Sequence, residues 1–190
     1  MRLNRLFRLP TLQHPRRALT TALGGAIGIL LMVLLADVAG IPLISVPFAT
    51  SVVLVMAAPE SELTQPRNIL GGHLVSSACG LVVLHIVGGG PWTAPIAVGI
   101  SILVMQLTRT LHPPAGGDGL VVVVEHAPWH FLLVPTLAGA LLLISFAWGY
   151  HRLVHPGIWP RPAAARRPGI NFRLPRIIVS SLRSRARKGR

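Results

Sequence analysis

Arg109-Thr110-Leu111-His112-Pro113-Pro114-Ala115-Gly116-Gly117-Asp118-Gly119 lies between two strongly apolar segments. A guanidinium, an imidazole, a rigid Pro-Pro step and a carboxylic acid therefore fall where the chain should be in or near lipid. Pro113 and Pro114 each lack an N–H, and Pro114 disfavours the helical region for the residue before it, so a helix arriving from the Ile96 side cannot run through them. Beyond them the chain can restart as a short helix, because proline is tolerated in a first turn and the free N–H groups there attract anions. A broken helix whose new N-terminus points into the membrane is one way in which transporters build binding sites.

The whole chain has the composition that such a stretch needs. Of 190 residues, 52% are hydrophobic and 12% charged, and the mean hydropathy is +0.62, too apolar for an ordinary soluble domain. An integral membrane protein is expected. Five of the 18 basic residues precede Ala18 and eleven follow from Arg152, leaving Arg67 and Arg109 between them. Basic residues beside the first span stay cytoplasmic, so Arg16 and Arg17 place the N-terminus inside a bacterial inner membrane, and Arg152 argues for the same side at the other end. The formal charge of +13 also permits a nucleic-acid reading of the Arg183–Arg190 tail. That reading is disfavoured, since topology and anionic lipid account for juxtamembrane basic clusters. Cys79 is a lone cysteine and reads as a helix-packing residue. Asp37 spoils a small-x-small cleavage site, so residues 18–38 read as a retained first span and not a signal peptide. The acid-free, arginine-rich first 17 residues also resemble an organelle transit peptide.

Taken in order, Ala18 to Val38 is long enough to cross a hydrocarbon core of roughly 30 Å. Gly24, Gly25 and Gly28 mark a face for close helix contact. Ile44 to Ala58, Ile69 to Val87, Pro95 to Leu111, a short Ala115 to Glu125 and Phe131 to Tyr150 follow as apolar segments. Val55-Met56 and Val104-Met105 are 49 apart, Gly40 with Pro42 matches Gly89 with Pro91, and Gln65-Pro66 precedes Pro113-Pro114 by 48. The expectation is an all-α integral membrane protein of about four to six apolar segments with Pro- and Gly-broken helices and a pseudo-repeat of about 48 residues. Leu120 to Val124 is strand-like by composition, but an open strand leaves backbone groups unpaired in lipid, so a short protein-shielded helix is expected. If that segment traverses, both ends share one side; if it dips and returns, they do not. Residues 1–17 form a basic N-terminal segment, 18–155 the membrane domain, and 156–190 a Pro- and Arg-rich tail. Within the tail, Ile170 to Leu182 has the spacing of a surface-lying helix, with disorder as the alternative.

Ionisable residues inside a membrane cost about 2.5 to 3.5 kcal/mol on insertion scales, so those present are paired or functional. Arg67, Arg109, Gln65, Asn68 and His112, with the restarted helix at Ala115 and Gly116, could together bind a small anion. Glu60, Glu62, Asp118 and His73 are candidates for charge pairing or proton coupling, and His112 could titrate near neutral pH. The alternative is that Arg67 pairs with Glu60 or Glu62, and Arg109 with Asp118, only to reduce the cost of burial. No metal-ligand spacing, cofactor motif or phosphate loop is present. Ser76 and Ser77 lie near His73, but no acid is placed in sequence to complete a hydrolytic triad. An enzyme is not expected.

Ala58-Pro59-Glu60-Ser61, Gln65-Pro66-Arg67-Asn68, Gly71-Gly72-His73 and Arg109-Thr110-Leu111-His112-Pro113-Pro114-Ala115-Gly116 together resemble the HPP family of small integral membrane proteins, over about residues 15 to 155. The resemblance implies about four spans and a carrier of nitrite or a similar small anion, with Arg67, Asn68, Arg109 and His112 as the positions carried over. This chain departs from the family pattern at Gly117-Asp118-Gly119, which puts a negative charge in the loop, and it lacks the C-terminal CBS domains of some bacterial members. The alternative function is a non-transporting scaffold whose basic tail binds a partner or anionic lipid. The bilayer itself, a small anion and, as an allowance, a second copy of the chain complete the expected partners.

Overall fold

Apolar helices joined by Gly and Pro turns are what this sequence should form, and helices are what it does form. A computed structural model of the chain describes residues 15–40 and 45–161. Residues 1–14, the turn at 41–44 and residues 162–190, with the amphipathic stretch Ile170 to Leu182, lie outside the described residues. Six α-helices follow one another: α1 (Pro15–Ala39), α2 (Val46–Ala57), α3 (Pro66–Val87), α4 (Thr93–Leu107), α5 (Gly116–Val124) and α6 (Ala138–Val154). There is no strand among the described residues. Leu120 to Val124 is thus helical, as the argument from unpaired backbone groups requires. Among the described residues three helices are long and apolar enough to cross a membrane: α1, α3 and the 26-residue Trp129–Val154 segment that ends as α6. This last segment kinks at Val134 (φ −136°, ψ 117°), the residue before Pro135, where a helical conformation is disfavoured.

Prolines open the helices where the sequence places them: Pro47 at the start of α2, Pro66 at that of α3, and Pro113 at a 3-10 turn (Pro113–Ala115) that leads into α5. The two proline loops flagged by the repeat are therefore equivalent in form. Each lies between the second helix of one hairpin and the first of the next, in the order α1–α2, α3–α4, α5–α6.

Small residues set the register between helices. A Cβ at Gly24 would lie within 2.8 Å of Tyr150 and Met56, and one at Gly28 within 3.0 Å of Phe146 and Val52. Hence α1 runs antiparallel to both α2 and α6. Gly25, expected on the same face, has nothing within 4 Å. At the crossing of α3 and α5 the approach is backbone to backbone, for a Cβ at Gly80 would stand 2.9 Å from the Gly119 Cα. Gly72 lies against His112, His73 against Asp118 and Gly80 against Val122, so α5 runs parallel to α3. The short helix therefore continues to the end of α3, where His126 meets Gly89, and does not turn back.

With the short segment traversing, both ends of the helical domain share one side. The contact of His155 with Thr20 (3.0 Å) and the Arg17–Glu60 ion pair (3.9 Å) gather the start of α1, the loop after α2 and the end of α6 there. We call this the near end. The core packs Met32, Phe48, Val52, Val55, Ile69 and Leu143 between α1, α2, α3 and α6. Leu19, Leu23, Ile27, Leu30 and Leu34 of α1 point outward and are exposed, an apolar stripe at helical spacing that lipid would cover. Residues 156–161, grouped with the tail on composition, pack onto the domain. Trp159 is 3% exposed within the core and donates its indole N–H to the Thr64 carbonyl at 2.8 Å.

The Gly80–Gly119 approach gives a direct test. Gly80→Ala should destabilise the protein by about 1–3 kcal/mol, because the obstructing atoms are backbone and cannot rotate away. Gly25→Ala, facing open space, should leave thermal unfolding in detergent unchanged or slightly raised. Equal melting of the two variants would contradict the packing described.

Candidate functional site

The break at Pro113-Pro114 delivers His112 and Asp118 into the protein interior beside α2 and α3. Asp118 lies in the first turn of α5, where a carboxylate faces the positive end of the helix dipole. Its Oδ2 lies 2.6 Å from Nδ1 of His73 on α3. Nε2 of His73 lies 2.9 Å from the Ser51 hydroxyl of α2, and that hydroxyl lies 2.8 Å from Nε2 of His112. His112 closes the chain by donating from Nδ1 to the Leu63 carbonyl at 2.7 Å. Ser51, His73 and His112 are completely buried, and Asp118 is 1% exposed. Phe48, one turn before Ser51, stacks on the His73 ring with centroids 4.2 Å apart.

Three helices meet in this quartet, and each contributes a residue for a local reason. Ser51 sits one turn after Pro47 and back-bonds to the Pro47 carbonyl at 2.8 Å, which holds its hydroxyl against the helix wall. His73 lies seven residues into α3, about 10 Å along the axis from Pro66. Gly72 leaves room for the Cβ of His112, which would stand 2.7 Å from any Cβ at that position.

Ser51, His73 and Asp118 stand in the order of a hydrolase triad, hydroxyl to Nε2 and Nδ1 to carboxylate. The acid that sequence reasoning did not find beside His73 is Asp118, 45 residues away, and the serine is Ser51 and not Ser76 or Ser77. Ser76 instead accepts from the Gly119 N–H at 3.1 Å, and Ser77 bonds Thr136 at 2.9 Å. Yet the Ser51 oxygen already has its Cβ and three hydrogen-bonding neighbours, Pro47 O and two imidazole nitrogens. A hydroxyl oxygen so surrounded has no free direction in which to attack a substrate. The four side chains form a continuous buried chain of hydrogen bonds.

The other expected site residues gather at the near end, above the quartet. Arg67 is exposed and donates Nη2 to the Thr108 carbonyl at 3.1 Å, the last turn of α4, where cations are favoured. Asn68 donates to the Leu111 carbonyl at 2.9 Å, pinning the segment that carries His112. Arg109 follows immediately, exposed and in the left-handed region (φ +56°). It caps α4 through bonds from its own N–H to Gln106 and from Thr110 N–H to Met105, a geometry that usually takes glycine. Ala115 is fully buried within the 3-10 turn and Gly116 half-buried behind it. Gln65 turns away from this group, donating to Pro59 and Ser61 carbonyls and accepting from the Arg161 N–H. Glu60 is exposed beside Arg17, and Glu62 opens the 3-10 turn at Glu62–Thr64. Among the described residues neither glutamate pairs with Arg67, and Asp118 pairs with His73 rather than Arg109. Two arginines thus stand close together at the near end without a carboxylate between them.

Ser51 was missed because a lone serine in an apolar helix is common. A signal for the His73–Asp118 contact was available, however, since an acid inside a membrane domain must have a partner and few candidates exist, chiefly His73, His85, His112, Arg67 and Arg109.

The profile described as HPP, transmembrane region, matches residues 10–160. The chain belongs to the HPP transmembrane family. Two Dictyostelium discoideum proteins, each described as a transmembrane protein, are 35% and 34% identical to it over 108 residues. The aligned segment covers 53% of this chain and 38% and 35% of theirs, so the chain spans well under half the length of these curated relatives. No solved structure matches it.

Removing one partner of the buried pair should be costly. Asp118→Ala is expected to destabilise by about 3–5 kcal/mol, and His73→Ala/Asp118→Ala by less than the sum of the single changes. A double-mutant cycle on unfolding in detergent reads the coupling, and strict additivity would count against the contact.

Proposed function

We propose that the protein is a membrane transporter for a small inorganic anion, with nitrite as the substrate that the family resemblance implies. The observation that carries this reading is the broken helix at His112–Gly116: Arg67 and Arg109, without a carboxylate partner among the described residues, stand at the near end beside it, and a buried chain of hydrogen-bonded groups follows it into the interior. Arg67 and Arg109 attract the anion and strip part of its hydration, as charge-assisted donors do. Asn68 and the Leu63 carbonyl hold the His112 segment in place. Asp118 does not repel the anion in the way a free carboxylate would, because it is hydrogen-bonded to His73 at 2.6 Å. By the positive-inside rule the near end, with Arg16, Arg17, Arg67, Arg109 and Arg152, faces the cytoplasm.

The triad order invites a hydrolase reading, which the full coordination of Ser51 opposes. A fluorophosphonate probe should leave the folded protein unlabelled, and labelling abolished by Ser51→Ala would overturn this.

Reconstituted into liposomes, the protein should take up nitrite faster than protein-free vesicles. Arg67→Ala should lower the initial rate by about tenfold or more, the equivalent of one charge-assisted hydrogen bond worth about 1.5–3 kcal/mol. Arg109→Gly should do the same without lowering the melting temperature, because glycine relieves a left-handed conformation costing about 1–2 kcal/mol. Nitrite uptake unaffected by both substitutions would contradict an arginine-lined entrance, and no uptake by folded, inserted protein would favour the scaffold role.

A further inference from the structure

The hydrogen bonds of the buried quartet set a minimum to the protons it holds. A backbone carbonyl only accepts, so the 2.7 Å contact of His112 Nδ1 with Leu63 O places one proton on Nδ1. The 2.6 Å contact between Asp118 and His73 Nδ1 contains a second. The Ser51 hydroxyl then faces two Nε2 atoms, at 2.9 and 2.8 Å, with a single proton of its own. That proton goes to one of them or to Pro47 O at 2.8 Å, so at least one of the two Nε2 atoms must itself be an N–H. Among Asp118, His73 and His112 there are therefore at least three protons, at least one more than an ionised acid and two neutral imidazoles would carry. With three the cluster is net neutral, which is the charge a site shielded from water and lipid needs.

The extra proton has several near-equivalent positions. It can rest between Asp118 and His73, on His73 Nε2, or, by rotation of the Ser51 hydroxyl, on His112 Nε2. Each hop breaks one N–H or O–H bond and forms another along an existing hydrogen bond, and no other atom moves. Pro47 O keeps its bond from Thr50 at 2.9 Å whichever way the Ser51 hydroxyl points.

We propose that Asp118, His73, Ser51 and His112 form a one-proton site, and that this proton is the ion coupled to anion passage. The second clause rests on the transport reading above; the first does not. A monovalent anion moving with one proton crosses without net charge, so the coupled transport is an electroneutral symport. The surroundings leave the quartet to set its own protonation. α2 and α4 carry no charged side chain. On α3 the nearest charged or titratable neighbours are Arg67, six residues before His73, the Cys79 thiol, six after it, and His85, twelve after it, about 9, 9 and 18 Å along the axis. Glu62 adjoins Leu63 in the turn above, Glu125 lies just beyond the far end of α5, and His151 is on α6.

Two measurements test this separately. In 15N-histidine-labelled protein in lipid at neutral pH, nuclear magnetic resonance should find His112 protonated at Nδ1 and at least one Nε2 of the pair His73/His112 protonated. Both Nε2 atoms bare would overturn the one-proton site. In proteoliposomes holding a pH-sensitive dye, nitrite entry should acidify the lumen by one proton per nitrite above protein-free vesicles, at a rate indifferent to an imposed potassium diffusion potential. Folded Asp118→Asn protein should lose uptake driven by a pH gradient. Protein-dependent nitrite entry without acidification, or accelerated by the potential, would overturn the coupling while leaving anion transport standing. Absence of any protein-dependent nitrite entry would overturn the transport reading and the coupling together, and the resonance experiment would then decide the proton site by itself.

Discussion

An aspartate placed inside an apolar bundle must be matched, and the 2.6 Å contact of Asp118 with His73 does the matching. An acid in the middle of a membrane helix costs about 2.5–3.5 kcal/mol on insertion scales, a sizeable part of what holds a small domain together. The pair removes most of that cost only if α5 enters the bundle at the depth of His73. Much of the local architecture serves this requirement. Pro113 and Pro114 stop the incoming chain from continuing α4, and the 3-10 turn sets the depth at which α5 begins. Gly72 and Gly80 let the segment lie directly on α3. The Schellman-type cap with Arg109 in the left-handed region turns the chain inward at the end of α4.

A site so enclosed is tied to the fold on all sides. Ser51 links it to α2, Phe48 covers the imidazole, and the Leu63 carbonyl connects it to the loop between α2 and α3. That same loop is capped by Gln65 and by Trp159, whose indole reaches back from beyond α6 to Thr64. The polar interior and the near end are thus mechanically continuous. A change at the arginines that shifts the Arg109–His112 segment would act on His112 first, which is the geometry that coupling of an anion to a proton needs.

Much of the fold was legible because lipid simplifies the rules. Apolar runs bounded by Gly40, Pro66, Gly88–Pro91 and Pro113-Pro114 gave the helices to within a few residues, and the pairing of segments into repeats matches the three hairpins. The equivalence of Gln65-Pro66 and Pro113-Pro114 was visible as spacing alone. His73, His112 and Asp118 could be singled out because ionisable groups are scarce in such a sequence. Their mutual arrangement could not, since it depends on which face of α3 meets α5, and that is decided by Gly80 against Gly119, a contact with no pattern in either helix by itself. Arg109 in a glycine-like conformation and Trp159 folding back into the core are also tertiary outcomes. Arg109 shows no local glycine signal, and Trp159 lies in a proline-rich segment whose composition reads as tail.

The central claim is that Asp118 and His73 are in direct contact within the folded protein in a membrane. Solid-state nuclear magnetic resonance of protein in lipid bilayers, labelled with 13C at the aspartate carboxyl and 15N in histidine, measures that contact through the dipolar coupling between the Asp118 carboxyl carbon and His73 Nδ1. The account predicts a strong coupling, corresponding to directly hydrogen-bonded groups and absent in Asp118→Asn protein labelled in the same way. No detectable coupling in well-folded protein would contradict it and would return the search for the partner of Asp118 to Arg109.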